Sequence, residues 1–439
     1  MSRPLAPRFT GALQALSPAE RRSIVERADT TLDSLIEERT RGILARVRSE
    51  GDAAIFALTK ELDGIELASL EVPKDAWDHA HFGLSPEVRR ALERAAKNIE
   101  TVHRAFLPGP VEIETEPGVT VGRRPDALAA VGVYAPGGRA AYPSSVLMGV
   151  IPARVAGVRE IVVCSPPQRG GAPSPVVLAA ALIAGATRMF AVGGAQAIAG
   201  LAFGTASIPK VDRIVGPGNA YVAEAKRLVA GTVGIDSPAG PSEILIIADT
   251  AADPACIVRE LLAQAEHDPA ASCVAVLQGK RLADEVSSML AEAAPDKRDI
   301  VEASLSSRGA VLWVDDLEDA VDFVSVYAPE HLLLAVADPE GVLARTRHAG
   351  TVFLGEAASV AFGDYMTGAN HVLPTAGFAR SMSGLSSLDF VRWTTWQRVT
   401  PEAAARMSAD VVLLATAEGL PSHADAARAL GVSGKRGAS

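Results

Sequence analysis

From Ala127 onward the chain alternates between short apolar β-rich runs and helical segments, and this rhythm constrains its fold more than any other feature. Strand candidates ALAAVGVYA, EIVVCS, RMFAVG and DRIVG are separated by helices starting near Ser144, Ser174, Ala195 and Asn219. A second set runs through EILIIAD, CVAVL, GAVLWV, HLLLAV and TVFLG, with helices from Asp253, Arg281 and Asp316. Strands that alternate with helices pair in parallel and are covered on both faces. The pattern therefore predicts an α/β protein with two nucleotide-binding-like sheets of incomplete Rossmann type. Helical N- and C-terminal segments flank them.

Residues 18–105 read as mostly helical, with Ser17 and Ser85 as caps before Pro. A Pro- and Gly-containing stretch, 107–118, reads as a separator, and 380–430 as a mostly helical tail that frays over 431–439. The expected domains are an N-terminal segment 1–27 and a discontinuous α/β domain, 28–127 with 243–378. A second α/β domain follows at 128–242, and a C-terminal segment at 379–439.

At 439 residues the chain is long enough for two to four domains, and 48% hydrophobic with 21% charged residues is a globular composition. A formal charge of −10 and no basic stripe argue against nucleic acid or an anionic membrane surface as partner. The three cysteines, Cys164, Cys256 and Cys273, each fall in apolar runs without a CxxC pair, so they are expected as buried thiols. No apolar leader opens the chain and no run reaches the ~20 residues needed to span a bilayer, so the cytoplasm is the expected location.

Glycine-rich loops VYAPGG, VGGAQA and VGPGN follow the first strands. Parallel sheets bind ligands beyond the carboxyl ends of their strands. None of these loops is the GxGxxG fingerprint, however, and each also fits a plain turn. Histidines are few, eight in all, so their neighbours are informative. Gln264 and His267 stand three apart at the end of a helix capped by Asp253, with His267 in its last turn. Glu330 and His331 fall on a helix-to-strand turn, where a carboxylate beside an imidazole can move protons near neutral pH. Asp364 and His371 lie in a turn-rich loop after TVFLG, while Glu418 precedes a Gly-Leu-Pro break and His423 starts the last helix. Each of these also fits a solvated turn or helix end. Taken together, Gln264, His267, Asp364 and His423 form an N/O donor set suited to Zn²⁺ or another divalent first-row ion.

The segments VYAPGGRAAYPSSVLMGVIPA, VGGAQAIAGLAFGT, IVGPGNAYVAEAKR, DSPAGPSEILIIAD, LLAQAEHDP, YAPEHL, GDYMTGANHVLPT and AEGLPSHA occur in this order. In them the chain resembles the histidinol dehydrogenase family over roughly residues 10–430. The resemblance implies NAD-linked oxidation of L-histidinol to L-histidine through L-histidinal, the last step of histidine biosynthesis. It implies Tyr134, Gln196 and Asn219 as NAD contacts, and Gln264, His267, Asp364 and His423 as ligands of one zinc per subunit. Ser242, Glu418 and His371 would contact substrate, alongside Gln264, His267, His331, Asp364 and His423. Glu330 and His331 would be the acid–base pair. The resemblance also implies a domain-swapped homodimer, in which the C-terminal segment completes the partner's site. The Trp-rich stretch SMSGLSSLDFVRWTTWQRV departs from the family pattern without removing a site residue. A relative acting on another small diol or amino alcohol, or a non-catalytic protein of the same fold, are the competing readings.

Overall fold

A computed structural model describes residues 4–27, 34–137, 141–237 and 240–433. The GRA stretch of the first glycine-rich motif, 138–140, and residues 434–439 of the expected frayed end lie outside them. The chain divides into two compact units: residues 1–106 with 128–390, and residues 107–127 with 391–439.

The first unit opens with strand β1 (Phe9–Ala12) and helices α1 (Pro18–Val25), α2 (Ser34–Glu50), α3 (Asp52–Asp63), α4 (Lys74–Gly83) and α5 (Pro86–Ala105). Ser17 makes the expected cap in full. Its hydroxyl accepts from the Glu20 N–H, and the Glu20 carboxylate reaches back to the Ser17 N–H. In the second unit, β2 (Val111–Glu116) and β3 (Val119–Ala127) form a hairpin.

The chain then alternates β4 (Ala130–Tyr134), α6 (Pro143–Ala156), β5 (Glu160–Ser165), α7 (Pro175–Ala184), β6 (Arg188–Ala191), α8 (Gly194–Phe203), β7 (Arg213–Val215), α9 (Ala220–Val229) and β8 (Gly234–Ile235). These strands make a parallel sheet in the order β6-β5-β4-β7-β8. The order reverses beside β4, the switch point at which such sheets open a ligand crevice.

Next come β9 (Glu243–Ala248), α10 (Pro254–Ala265), β10 (Ser272–Gln278), α11 (Lys280–Glu292), α12 (Arg298–Arg308), β11 (Ala310–Val314), α13 (Leu317–Tyr327), β12 (His331–Ala335), α14 (Pro339–Arg345), β13 (Thr351–Leu354) and α15 (Val360–Tyr365). Their sheet runs β1-β11-β10-β9-β12-β13, all parallel. Both faces of each sheet are covered, so central strands such as Glu243–Ala248 are buried at every position and read as unbroken apolar runs. Thus β1 lies in this sheet, although residues 1–27 were expected to be helical. Helices α2 and α3 pack on one face of the five-stranded sheet, α4 and α5 on the other. Packing therefore associates 34–105 with that sheet, whereas the expected domains had grouped 28–127 with 243–378.

The second unit continues with β14 (Val391–Val399), α16 (Pro401–Ala417) and α17 (Pro421–Ser433). Strand β14 pairs antiparallel with β3, which pairs with β2. This corrects two expectations: 107–118 is not merely a separator, and 380–430 is not mostly helical at its start. VRWTTWQRV carries the β-branched and aromatic residues that favour strands. Its partner lies more than 260 positions away, so the pairing leaves no local trace. The α17 helix also extends to Ser433, into the stretch expected to fray.

Cys164, Cys256 and Cys273 are all free and buried, as expected. Among the described residues no helix is long and apolar enough to cross a membrane. At Gly216 the backbone has φ 115°, and an added Cβ would meet the Tyr134 carbonyl oxygen at 2.1 Å. Gly216→Ala should therefore lower stability by roughly 1–3 kcal/mol, read as a fall in melting temperature. An unchanged melting temperature would show that the β4–β7 edge yields easily.

Candidate active site

Helix α10 starts where Asp253 accepts from the Ala255 N–H and Pro254 takes the first position. It ends at Ala265, so His267 stands just beyond the helix rather than in its last turn. Gln264, on its inner face, is 2% exposed, and neither its amide oxygen nor its nitrogen has a hydrogen-bond partner. A buried amide without partners is costly unless something else satisfies it.

Helix α13 stops at Tyr327 because Ala328 turns left-handed and Pro329 cannot continue the helix. Glu330 and His331 follow, 6% and 3% exposed, at the amino end of β12. The adjoining strand β9 begins at Glu243. There the Ser242 hydroxyl and the Glu243 N–H both donate to Glu330 Oε2 at 2.7 Å. The Glu243 carbonyl accepts from His331 Nδ1 at 2.9 Å. Asp364 lies in α15 rather than in a loop. Its Oδ1 is 3.9 Å from His331 Nε2, and its carbonyl accepts from His371 Nδ1 at 2.9 Å.

One pattern recurs among these imidazoles. His267 Nδ1 faces the Ala263 carbonyl at 2.9 Å, just as those of His331 and His371 face carbonyls. A carbonyl only accepts, so each Nδ1 carries the proton and each Nε2 presents a lone pair. His331 Nε2 is buried without a partner.

Burial sets the electrostatics. It pushes the Glu330 carboxyl up to about 8, against the hydrogen bonds from Ser242 and Glu243, with the negative charges of Glu243 and Asp364 adding to the rise. Burial also lowers the pKa of His331 and His371, and in both Asp364 pulls back. His331 is thus held neutral, with its Nε2 lone pair unprotonated.

The structure brings Ser242, Glu330, His331, Asp364 and His371 together, with His267 close enough to oppose charge on His371. It does so at the amino ends of β9 and β12, whereas strand order had pointed to a carboxyl edge. The C-termini of α10 and α15, returning antiparallel to the strands, carry the groups there. Tyr134, Gln196 and Asn219 do lie at a carboxyl edge, that of the five-stranded sheet. Tyr134 ends β4 and its hydroxyl accepts from the Gly194 N–H at 3.1 Å. Gln196, 1% exposed in the first turn of α8, has an unbonded amide oxygen. Asn219 caps α9 through its side-chain oxygen, accepting from Tyr221 and Val222, which leaves its amide hydrogens for another partner. Glu418 and His423 belong to the second unit, at the end of α16 and in the first turn of α17, and are exposed there.

Among the described residues no three His, Cys, Asp or Glu side chains cluster so as to hold a metal ion by themselves. The expected ligand set supplies only His267 and Asp364 of these types from the first unit. Its other donors are the Gln264 amide and, in the second unit, His423. Two buried residues at the site, Arg27 and Glu243, escaped the sequence reading. Glu243 sits at the head of an apolar run, a signal that could have been heeded; Arg27 follows an ordinary helix and offers none.

Fold and site define the class first: an α/β protein with a buried carboxylate–imidazole pair at the amino ends of neighbouring strands in its six-stranded parallel sheet. The chain matches the family model for histidinol dehydrogenase over residues 26–430. A histidinol dehydrogenase from Methanothermobacter thermautotrophicus is 46% identical over 407 residues, covering 92% of this chain and 95% of that protein. One from Nitrosomonas europaea is 45% identical over 405 residues, covering 91% and 93%. The crystal structure of histidinol dehydrogenase from Elizabethkingia anophelis superposes with a TM-score of 0.92 at 33% identity, covering 99% of both chains. This chain belongs to the histidinol dehydrogenase family.

Proposed function

We propose that the protein oxidises L-histidinol to L-histidine through L-histidinal, passing one hydride to NAD⁺ in each of two steps, as the end of histidine biosynthesis. The observation that carries this reading is the buried Glu330–His331 pair, with His331 Nε2 unpartnered beside Asp364. His331 Nε2 takes the hydroxyl proton as hydride leaves the carbinol carbon. Glu330, once ionised, takes a proton from the water that adds to the aldehyde, and the hydrate then yields the second hydride. Ser242 orients the Glu330 carboxyl, and His371 lies beside Asp364 to meet the substrate.

The donors fit Zn²⁺, one per subunit: an unbonded buried amide on Gln264, the Nε2 lone pair of His267, and the carboxylate of Asp364. We assign the fourth position to His423 of the partner subunit, with Glu418 of the partner subunit meeting the substrate's amino group. When bound, the ion supplies a template for the imidazole and amino nitrogens of histidinol. Tyr134, Gln196 and Asn219 fit a dinucleotide at the switch point of the five-stranded sheet, where the N-termini of α8 and α9 favour an anion. Three buried, unpaired thiols fit a reducing compartment such as the cytoplasm.

A shared-site homodimer is supported by the second unit, where Leu413, Leu414 and Leu430 are 68%, 67% and 57% exposed. It predicts complementation. Mixing unfolded His331→Asn and His423→Asn subunits and refolding them should restore about a quarter of wild-type activity, because half the dimers carry one intact site. No recovery would place both residues of a site in one chain.

The direct test is NADH absorbance with histidinol, histidinal and simple diols, on protein of known metal content. Two NADH per histidinol are expected, with diols inert. Equal rates with a diol would favour a different substrate, and no turnover with any would sink the enzyme reading.

The pH dependence follows from Glu330. The ionised form needed for the second step is populated only as pH rises through about 8, so histidinal oxidation should climb through that pH and then level. The same raised value makes the folded state hold the proton more tightly than the unfolded chain, so Glu330's contribution to stability is lost as pH rises from its ordinary range towards 8. A rate independent of pH between 6 and 9, roughly, would remove Glu330 from this role.

A further inference from the structure

Behind the Glu330–His331 pair lies a buried ion pair that the reaction itself does not use. Arg27 is 6% exposed and Glu243 3%. The guanidinium grips the carboxylate with two prongs, Nε to Oε1 at 2.8 Å and Nη2 to Oε2 at 2.7 Å. The same Nη2 donates to the Ala328 carbonyl at 3.2 Å, and the guanidinium lies over the Tyr327 ring, 3.5 Å from its centroid. Tyr327 ends α13, and Ala328 is the left-handed residue that starts the turn into Glu330. Arg27 therefore ties the head of β9 to the turn that delivers the acid–base pair to β12.

Glu243 is the hinge between the two. Its N–H donates to Glu330 and its carbonyl receives His331 Nδ1–H, so one peptide segment sets both side chains. A second tie, from the Ala376 N–H to Glu243 Oε1 at 2.8 Å, links the stretch after His371 to the same carboxylate. Rotation of this segment would swing Glu330 and His331 together. Its side chain is a handle by which Arg27 and Ala376 grip it without touching either group.

We propose that Arg27 and Glu243 are positioning residues for the reaction: their ion pair holds the Glu243 backbone in the orientation that aims Glu330 and fixes the Nδ1–H form of His331. A buried ion pair kept merely for stability is a poor bargain, since apolar replacements of similar volume commonly do as well. A positioning role explains a two-pronged grip, which Lys could not reproduce. The proposal rests on the reading of Glu330 and His331 as the acid–base pair.

The test compares Arg27→Met, Arg27→Lys, Glu243→Gln and the double variant Arg27→Met/Glu243→Leu with the wild type. Single variants should lose kcat by on the order of 10²-fold, with KM for histidinol and NAD⁺ within about threefold and zinc content unchanged, since small misplacement penalises the chemical step. Arg27→Lys should fall between. The single variants are also expected to melt lower, because each leaves a buried charge or amide unpaired. The double variant separates the roles: its melting temperature should recover while kcat stays low. Recovery of kcat along with stability, or single variants that melt early yet turn over normally, would overturn the proposal.

A readout independent of turnover keeps the two readings apart. In protein labelled with ¹⁵N-histidine, the His331 ring, assigned through His331→Gln, should show the Nδ1–H tautomer in the wild type and a tautomer mixture in Arg27→Met. An unchanged tautomer would refute positioning even if histidinol proves not to be the substrate. An inactive wild type with the tautomer shift intact would fault the functional reading alone.

Discussion

Replacing His331 by Asn is expected to cut kcat for histidinol by about 10³-fold while metal content and substrate binding stay near wild type, the range lost when a positioned base is removed. Asn is the informative choice. Its amide nitrogen can keep the hydrogen bond to the Glu243 carbonyl that His331 Nδ1 makes. The fold is thereby spared, and only the Nε2 lone pair disappears. That lone pair is buried and neutral because desolvation outweighs the pull of Asp364. The companion change Glu330→Gln keeps the hydrogen bonds to Ser242 and the Glu243 N–H through its amide oxygen, yet cannot accept a proton. It should impair histidinal oxidation more than histidinol oxidation, because water activation belongs to the second step. Stopped-flow rates with each substrate separate the two. Variants that both turn over at near-normal rates would remove the pair from catalysis.

His267→Ala is expected to have an effect of comparable size by another route. Its side chain is exposed, so the metal-free variant should melt within about 0.5 kcal/mol of the metal-free wild type, as surface changes usually do. Zinc content should nevertheless fall from one per subunit towards zero. Activity should drop by about 10³-fold, the equivalent of some 4 kcal/mol of lost templating. Chelation of the wild type should mimic this reversibly, with Zn²⁺ restoring turnover. Gln264 should behave differently, because its amide is buried and unpartnered without the ion. In Gln264→Leu the metal-free protein should gain stability while losing zinc affinity, since two orphaned polar atoms vanish. Full activity from metal-free protein would end the zinc reading, whatever the stoichiometry of histidinol and NADH.

Much of the architecture was legible because it is written locally. Parallel strands buried on both faces read as continuous apolar runs. Helix starts carried Ser17, Ser85 and Asp253 with Pro behind them, and the glycine-rich loops marked strand ends. The acid–base pair was legible for a similar reason: Pro329 after an apolar helix places Glu330 and His331 at a turn, whatever surrounds them. Strand β14 was not legible, because β pairing is decided by a partner distant in sequence. Helical order in 34–105 was visible, but not which sheet it would cover, since the apolar face of a helix does not name its mate.

What the sequence by itself determined is most of the helices and the alternating parallel strands, the chemical groups available, and the family they belong to. Tertiary structure alone decided that the acid–base pair sits at the amino ends of β9 and β12, because helices α10 and α15 run back against the strands and carry Gln264 and Asp364 with them. It alone decided that one peptide segment at Glu243 serves both Glu330 and His331, and that Arg27, 216 residues earlier, grips it. Proton affinity was decided there too. Glu330 titrates near 8 not because it is a glutamate next to a histidine, but because folding removes the water that would have solvated its charge.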